Sequence, residues 1–129
     1  GASNPCLSPF YPIFANGTIN PAGYLEGGAE YSPEVYWWES EKIHRRALHH
    51  FPAALKSAQQ KIQEHERDMI QAFEDKRVTA NQSAIDSYFS RARKIVADWG
   101  AELEAMPKIK HNWLFQRYWQ GYHRLNGTG

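Results

Sequence analysis

Ala53-Ala54-Leu55-Lys56-Ser57-Ala58-Gln59-Gln60-Lys61-Ile62-Gln63-Glu64-His65-Glu66-Arg67-Asp68-Met69-Ile70-Gln71-Ala72-Phe73 is the stretch whose reading decides the fold. Leu55, Ala58, Ile62, Met69 and Phe73 recur at a heptad-like spacing, and His65 falls on the same stripe. The opposite face is dense in Lys, Gln, Glu and Arg, so the pattern predicts an amphipathic helix over 53–76. Such a stripe must be covered, and the sequence downstream supplies a cover. Ile85, Tyr88, Phe89, Ala92, Ile95, Val96, Trp99 and Leu103 form a second, wider stripe, which predicts a helix over 80–105. Thr79 with Gln82 has capping-box spacing, Gly100 weakens the last turns, and Pro107 follows the end. The connection at 75–79 is short, so the two helices should form an antiparallel hairpin. Leu55, Ile62, Met69 and Phe73 should then face Ile85, Phe89, Ala92, Val96 and Leu103.

Upstream, Ser32-Pro33-Glu34 reads as a helix start: a capping hydroxyl, a proline at the first position and an acid on the positive end of the dipole. That predicts a helix over 33–50, ending before Pro52, with Val35, Trp38, Ile43 and Ala47 roughly on one side. Trp38 and Trp99 should be mostly buried. Residues 1–31 carry Pro5, Pro9, Pro12 and Pro21 with Gly17, Gly23, Gly27 and Gly28, which precludes a long helix. Cys6-Leu7-Ser8 and Phe10-Tyr11 fit a short edge strand interrupted by proline. Beyond Pro107 the chain is aromatic, with Trp113, Phe115, Tyr118, Trp119 and Tyr122. The spacing of Leu114, Tyr118 and Tyr122 allows a short helix ending at Asn126-Gly127. The fold class is therefore mainly α: a helical hairpin plus flanking helices, with an irregular N-terminal arm or edge strand. The chain reads as a single segment, 1–31 the arm and 32–129 the helical region.

Length and composition bound the rest. The 129 residues suit one domain, and a hydrophobic share of 42% suits a globular core. Fifteen basic and fourteen acidic residues lie interspersed, for a net charge of +1. That gives no electrostatic reason to expect nucleic acid or an anionic membrane. Apolar runs are too short to span a bilayer. A lone cysteine excludes an internal disulfide. The chain begins Gly1-Ala2-Ser3 and not with Met, which suggests a tag remnant or a processed end, with the function expected upstream.

No catalytic, cofactor-binding or metal-binding residue is assigned. Cys6 sits in an apolar run with nothing adjacent to lower its pKa, and reads as a small buried hydrophobe. His44, His49 and His50 share a helix but not a face, and His65-Glu66 lacks the second histidine of a zinc helix because position 69 is Met. Glu39, Glu41, Glu64 and Glu66 read as solvated helix faces. Arg45-Arg46 and Arg91-Arg93-Lys94 are balanced by acidic neighbours. Trp37-Trp38 and the C-terminal aromatics read as core and interface anchors. Asn16-Gly17-Thr18, Asn81-Gln82-Ser83 and Asn126-Gly127-Thr128 match the glycosylation sequon, which matters only if the chain is exported.

Three stretches together carry a resemblance: Asn4-Pro5-Cys6-Leu7-Ser8-Pro9-Phe10-Tyr11-Pro12-Ile13-Phe14, Tyr31-Ser32-Pro33-Glu34-Val35-Tyr36-Trp37-Trp38, and Glu41-Lys42-Ile43-His44-Arg45. They resemble the late region of the dipeptidase-A and secernin family of N-terminal-nucleophile hydrolases, in which a Pro-Cys strand precedes a loop and a Tyr-Ser-Pro helix start. The later helices match only in general character. The resemblance implies the C-terminal part of an αββα sandwich, in a parent that cleaves dipeptides or related linear amides. In that family the freed N-terminal cysteine is the nucleophile and its own α-amino group the base. Cys6 occupies the place of the family's internal cysteine, so no catalytic role passes to this segment. What the resemblance implies here is structural: finishing the sheet and packing helices against it. The expected partners are the rest of the parent chain or another protein, with a peptide or linear amide as the parent's substrate. The alternative is a non-catalytic helical interaction module with an aromatic face.

Overall fold

The computed structural model describes residues 7–15, 20–28, 30–50, 52–107 and, further on, 114, 117, 118, 120, 121 and 125. Three helices make the fold: α1, Tyr36–Ala47; α2, Ala53–Glu74; and α3, Gln82–Ala105. A 3₁₀ turn, Leu48–His50, continues α1 to the bend at Pro52. No described residue lies in a β-strand, so the mainly helical expectation holds.

The central element is α3, which packs against both other helices. Contacts along its length fix the directions. Lys61 meets Glu102 at 2.7 Å, Asp68 meets Arg91 at 2.9 Å, and the rings of Phe73 and Tyr88 lie 5.8 Å apart. Rising numbers on α2 thus face falling numbers on α3, the expected antiparallel hairpin. On the other side Glu39 meets Arg93 at 3.0 Å, Ile43 lies over Gly100, and Arg46 pairs with Glu104. Here both sets of numbers rise, so α1 runs parallel to α3. Ile85, Phe89, Ala92, Val96, Trp99 and Leu103 are all buried on α3. Trp38 and Trp99 are buried as expected.

The buried seam of α2 shares Ala58, Ile62 and His65 with the predicted stripe and differs from it at the ends. Ala54, Ala58, Ile62, His65 and Ala72 are buried, while Leu55, Met69 and Phe73 are half-buried at its edge. Only the ends of the stripe move by one position, from Leu55 to Ala54 and from Phe73 to Ala72. Small alanines at the seam let the α2 and α3 backbones approach closely, and the larger side chains then pack from the flanks.

The helix ends also shift. Ser32-Pro33-Glu34 forms a turn, closed by the Val35 N–H donating to the Ser32 carbonyl at 3.2 Å, and not the start of α1. Val35 precedes the helix in an extended conformation (φ −81°, ψ 120°) with its side chain buried. Directing that side chain into the core sets the later start. At α3 the cap is Asn81, whose Oδ1 accepts from the Ala84 N–H at 3.0 Å; Thr79 does not serve. Gln82 reaches forward to Asp86, not back. Between α2 and α3, Lys76 is left-handed (φ 54°). The Arg77 N–H donates to the Ala72 carbonyl at 2.9 Å and the Lys76 N–H to the Phe73 carbonyl at 3.0 Å. These two bonds make a Schellman ending for α2.

Past Pro107, the described residues Leu114, Arg117, Tyr118, Gln120, Gly121 and Leu125 are helical and exposed. Trp113, Phe115, Trp119 and Tyr122 lie outside the described residues. The expected edge strand is not formed among residues 7–15. Prolines 9 and 12 withhold two donors, and no neighbouring strand is present among the described residues to pair with.

Candidate functional site

The groove between α2 and α3 holds part of the chain itself. Residues 7–14 lie across it, Leu7 in a 3₁₀ turn and 9–14 in neither helix nor ladder. Leu7 and Pro9 are buried, sharing a small hollow with Ala58, Ile62, Ile95, Val96 and Trp99. Tyr11 meets the edge of Phe89 with ring centroids 5.2 Å apart, and Phe14 meets Phe73 at the same distance. Edge-to-face contacts of this kind add to the apolar area they cover.

Two histidines hold the arm by its backbone. His44 on α1 places Nε2 3.0 Å from the Leu7 carbonyl, and His65 on α2 places Nε2 2.8 Å from the Phe10 carbonyl. A carbonyl only accepts, so each Nε2 carries the hydrogen and donates. Both rings are buried, His65 at 1% exposure. Burial pushes both below the ordinary histidine value; the carbonyl bond opposes this at each site. Both imidazoles therefore stand neutral at neutral pH, and they serve as placed donors. Sequence reading put His65 on the apolar stripe and found no role for it; its partner lies 55 residues away, beyond any local spacing signal.

The other face of the arm is apolar too. Phe10 and Ile13 are 62% and 59% exposed. The arm is irregular chain with apolar side chains both toward the helices and away from them.

The remaining candidates separate. Cys6 and the sequons at Asn16 and Asn126 lie outside the described residues. Asn81 is exposed, with its side chain engaged as the α3 cap. Glu41 corrects the expectation of a solvated carboxylate. It is buried and accepts from Arg45 Nε at 2.8 Å, one turn along α1. The i,i+4 spacing was visible in the sequence; its burial was not. Glu39 is half-buried against Arg93, whereas Glu64 is exposed and accepts from Gln60 at 3.1 Å. Lys94 reaches Asp98 on its own helix, and Arg91 reaches Asp68, so the basic run is locally neutralised. Trp37 and Trp38 pack edge to face at 4.5 Å, and Trp38 continues onto Tyr31 at 5.9 Å. They anchor the core.

His49 and His50 border a cleft of about 420 Å³ with Arg46, Leu103 and Glu104. Arg46 is paired with Glu104 there, and His50 Nδ1 donates to the Pro107 carbonyl at 3.0 Å, tying the 3₁₀ turn to the end of α3. Among the described residues no three His, Cys, Asp or Glu side chains gather as a metal-binding set, and no helix is long and apolar enough to cross a membrane.

Fold and site together define a class: a parallel and antiparallel three-helix layer with an extended arm docked on it by backbone and side chain. No family model, curated protein or solved structure matches the chain.

Proposed function

We propose that this segment is the structural C-terminal portion of an amide-bond hydrolase of the dipeptidase type, whose nucleophile is carried elsewhere in the parent. The observation that carries the reading is the arm. Residues 7–14 cross a layer of helices as irregular chain, and the outward side chains Phe10 and Ile13 are apolar and exposed. In a sandwich of sheets between helix layers, a strand is covered by helices on one face and by the second sheet on the other. The arm has the first cover and the side chains for the second. Its main chain is in no ladder among the described residues, so it has groups to offer a neighbouring strand.

The test is the reading frame upstream of Gly1 in the source gene. A cysteine directly after a processing site upstream, in one continuous frame with this segment, is the expected result. A gene product consisting of this segment alone overturns the reading.

A second reading, a helical interaction module, draws on Leu114, Tyr118 and Leu125. These lie at four- and seven-residue spacings on helical chain and are 59%, 66% and 88% exposed. Spacings of four and seven recur on one face of a helix. Light scattering on the purified chain addresses it: a monomer at all concentrations, with no apolar dye binding, argues against this reading.

A further inference from the structure

We propose that His65 is a proton-operated latch on the N-terminal arm: with a neutral ring it holds Phe10 down, and protonation of the ring releases residues 7–14 from the α2–α3 groove. The geometry carries this independently of what the parent protein does.

The tautomer is fixed by the partner. Nε2 donates to the Phe10 carbonyl at 2.8 Å, so the added proton must go to Nδ1. Nδ1 is buried and has no hydrogen-bond acceptor. The bond to Phe10 survives protonation and is even strengthened as a charge-assisted one. The unfavourable change lies on the other nitrogen, where a charged N–H would stand in the interior with nothing to receive it.

The groups facing the ring do not remove that difficulty. From α3 come the Arg91 guanidinium, which opposes a second positive charge, and the Tyr88 ring, 6.0 Å away edge to face. From α2 itself, Glu66 and Asp68 favour protonation, but Asp68 is already engaged with Arg91 at 2.9 Å. From the arm the Phe10 carbonyl faces the ring and accepts from Nε2. Burial outweighs the two carboxylates.

A buried imidazolium is relieved by water, and the arm is the cover that can move without opening a helix. α2 and α3 are tied along their length by Lys61–Glu102, Asp68–Arg91 and Phe73–Tyr88. The arm is tied by side-chain contacts and by His44 and His65, whereas the chain beyond it is anchored on α3 separately, with the Ala22 N–H donating to Asp86 at 2.8 Å and Tyr24 against Phe89, so that residues 7–14 can lift while 21–24 stay in place. Release uncovers Ile62, Val96 and Trp99, the apolar floor under Leu7 and Pro9. The latch thus exposes a hydrophobic groove in acid and covers it near neutrality.

Methyl-labelled NMR on the whole chain tests this. Cross-peaks between the Leu7 methyls and those of Ile62 and Val96 report the docked arm, and amide protection in the middle of α3 reports the helices. Between pH 7.5 and 5 the ratio of released to docked arm should rise by about tenfold for each unit by which burial depresses the ring, to at most about thirtyfold at pH 5, with α3 protection kept. His65→Gln retains a side-chain N–H donor but does not titrate, so the acid release left in it is that of His44 alone and should be smaller than in the native chain over this range. Cross-peaks in the native chain that persist unchanged to pH 5 overturn the latch. So does loss of arm and α3 signals together, or an equal loss in His65→Gln. If His65→Gln fails to dock its arm at any pH, ring nitrogen shifts in the native chain decide. A ring protonated at pH 5 with the Leu7 cross-peaks intact refutes the proposal, and a ring that titrates in step with their loss supports it.

Discussion

At the scale of single residues, two backbone positions show how packing and conformation oppose ordinary preference. Gly100 lies in the interior of α3, where glycine is usually worth about 1 kcal/mol less than alanine. It is retained at a crossing. A β-carbon there would sit 2.9 Å from Ile43 Cδ1 and 3.0 Å from Cγ1. Gly100→Ala should therefore destabilise by about 1–2 kcal/mol, as overpacking outweighs the helix gain. Shortening the neighbour with Ile43→Val should recover part of that loss. Urea midpoints of the two single variants and the double variant measure the coupling, and strict additivity would show that the contact is not the cause. Lys76 is the opposite case. It holds φ 54° at the end of α2, where glycine costs nothing. Lys76→Gly should raise stability by about 0.5–1 kcal/mol, read as a higher thermal midpoint. A lower midpoint would mean that the lysine side chain has an unseen role.

At the scale of elements, what was legible in the sequence was periodicity, and what was not was the partner. The stripe from Ile85 to Leu103 was read correctly, because large side chains at helical spacing leave only one way to be covered. The stripe on α2 was read correctly at Ala58, Ile62 and His65 and one position off at its ends. Leu55 and Phe73 stand out by hydrophobicity, whereas their neighbours Ala54 and Ala72 take the seam because they are small. Size complementarity across a seam belongs to the pair of helices, and no single-helix pattern contains it. Helix starts failed for a similar reason. Ser32-Pro33 is a sound local signal, but burying Val35 in an extended conformation overrode it. The candidate site was least legible of all, since His44 and His65 bond to carbonyls 37 and 55 residues distant, and carbonyls have no residue identity. The observed cap of α3 can be tested directly. Asn81→Ala should cost about 1 kcal/mol through loss of the bond to the Ala84 N–H, with Thr79→Ala close to neutral. Equal losses in the two variants would restore the capping-box reading.

At the scale of the whole molecule, the buried histidines set how stability responds to acid. His44 and His65 are both held below the ordinary value of 6.5, burial being the larger cause in each. The unfolded chain therefore takes up protons first as the pH falls. Above the unfolded value neither state is protonated and stability is at its plateau. Below it, the unfolded state gains protons that the folded state refuses, and stability declines until the folded rings titrate. Each unit of depression corresponds to about 1.4 kcal/mol per histidine. The carboxylates act in a separate, lower window. Glu102 is held down by hydrogen bonds from Lys61 and Ser57, and Asp68 by Arg91. Their folded forms release protons more readily than the unfolded ones, so their contribution is kept above the ordinary carboxylate range and lost only below it. Denaturant midpoints should thus be level from pH 8 to about 7, fall between 6.5 and 5, and fall again below about 4.5. Replacing both histidines, in His44→Gln/His65→Gln, should flatten the first decline and leave the second. The double variant keeps a donor-bearing side chain at both positions, so a lower plateau alone would measure packing, whereas the slope between pH 6.5 and 5 measures protons. A native chain with level midpoints from pH 8 to 5, or a double variant that declines as steeply as the native chain, would show that the arm is not held by neutral imidazoles.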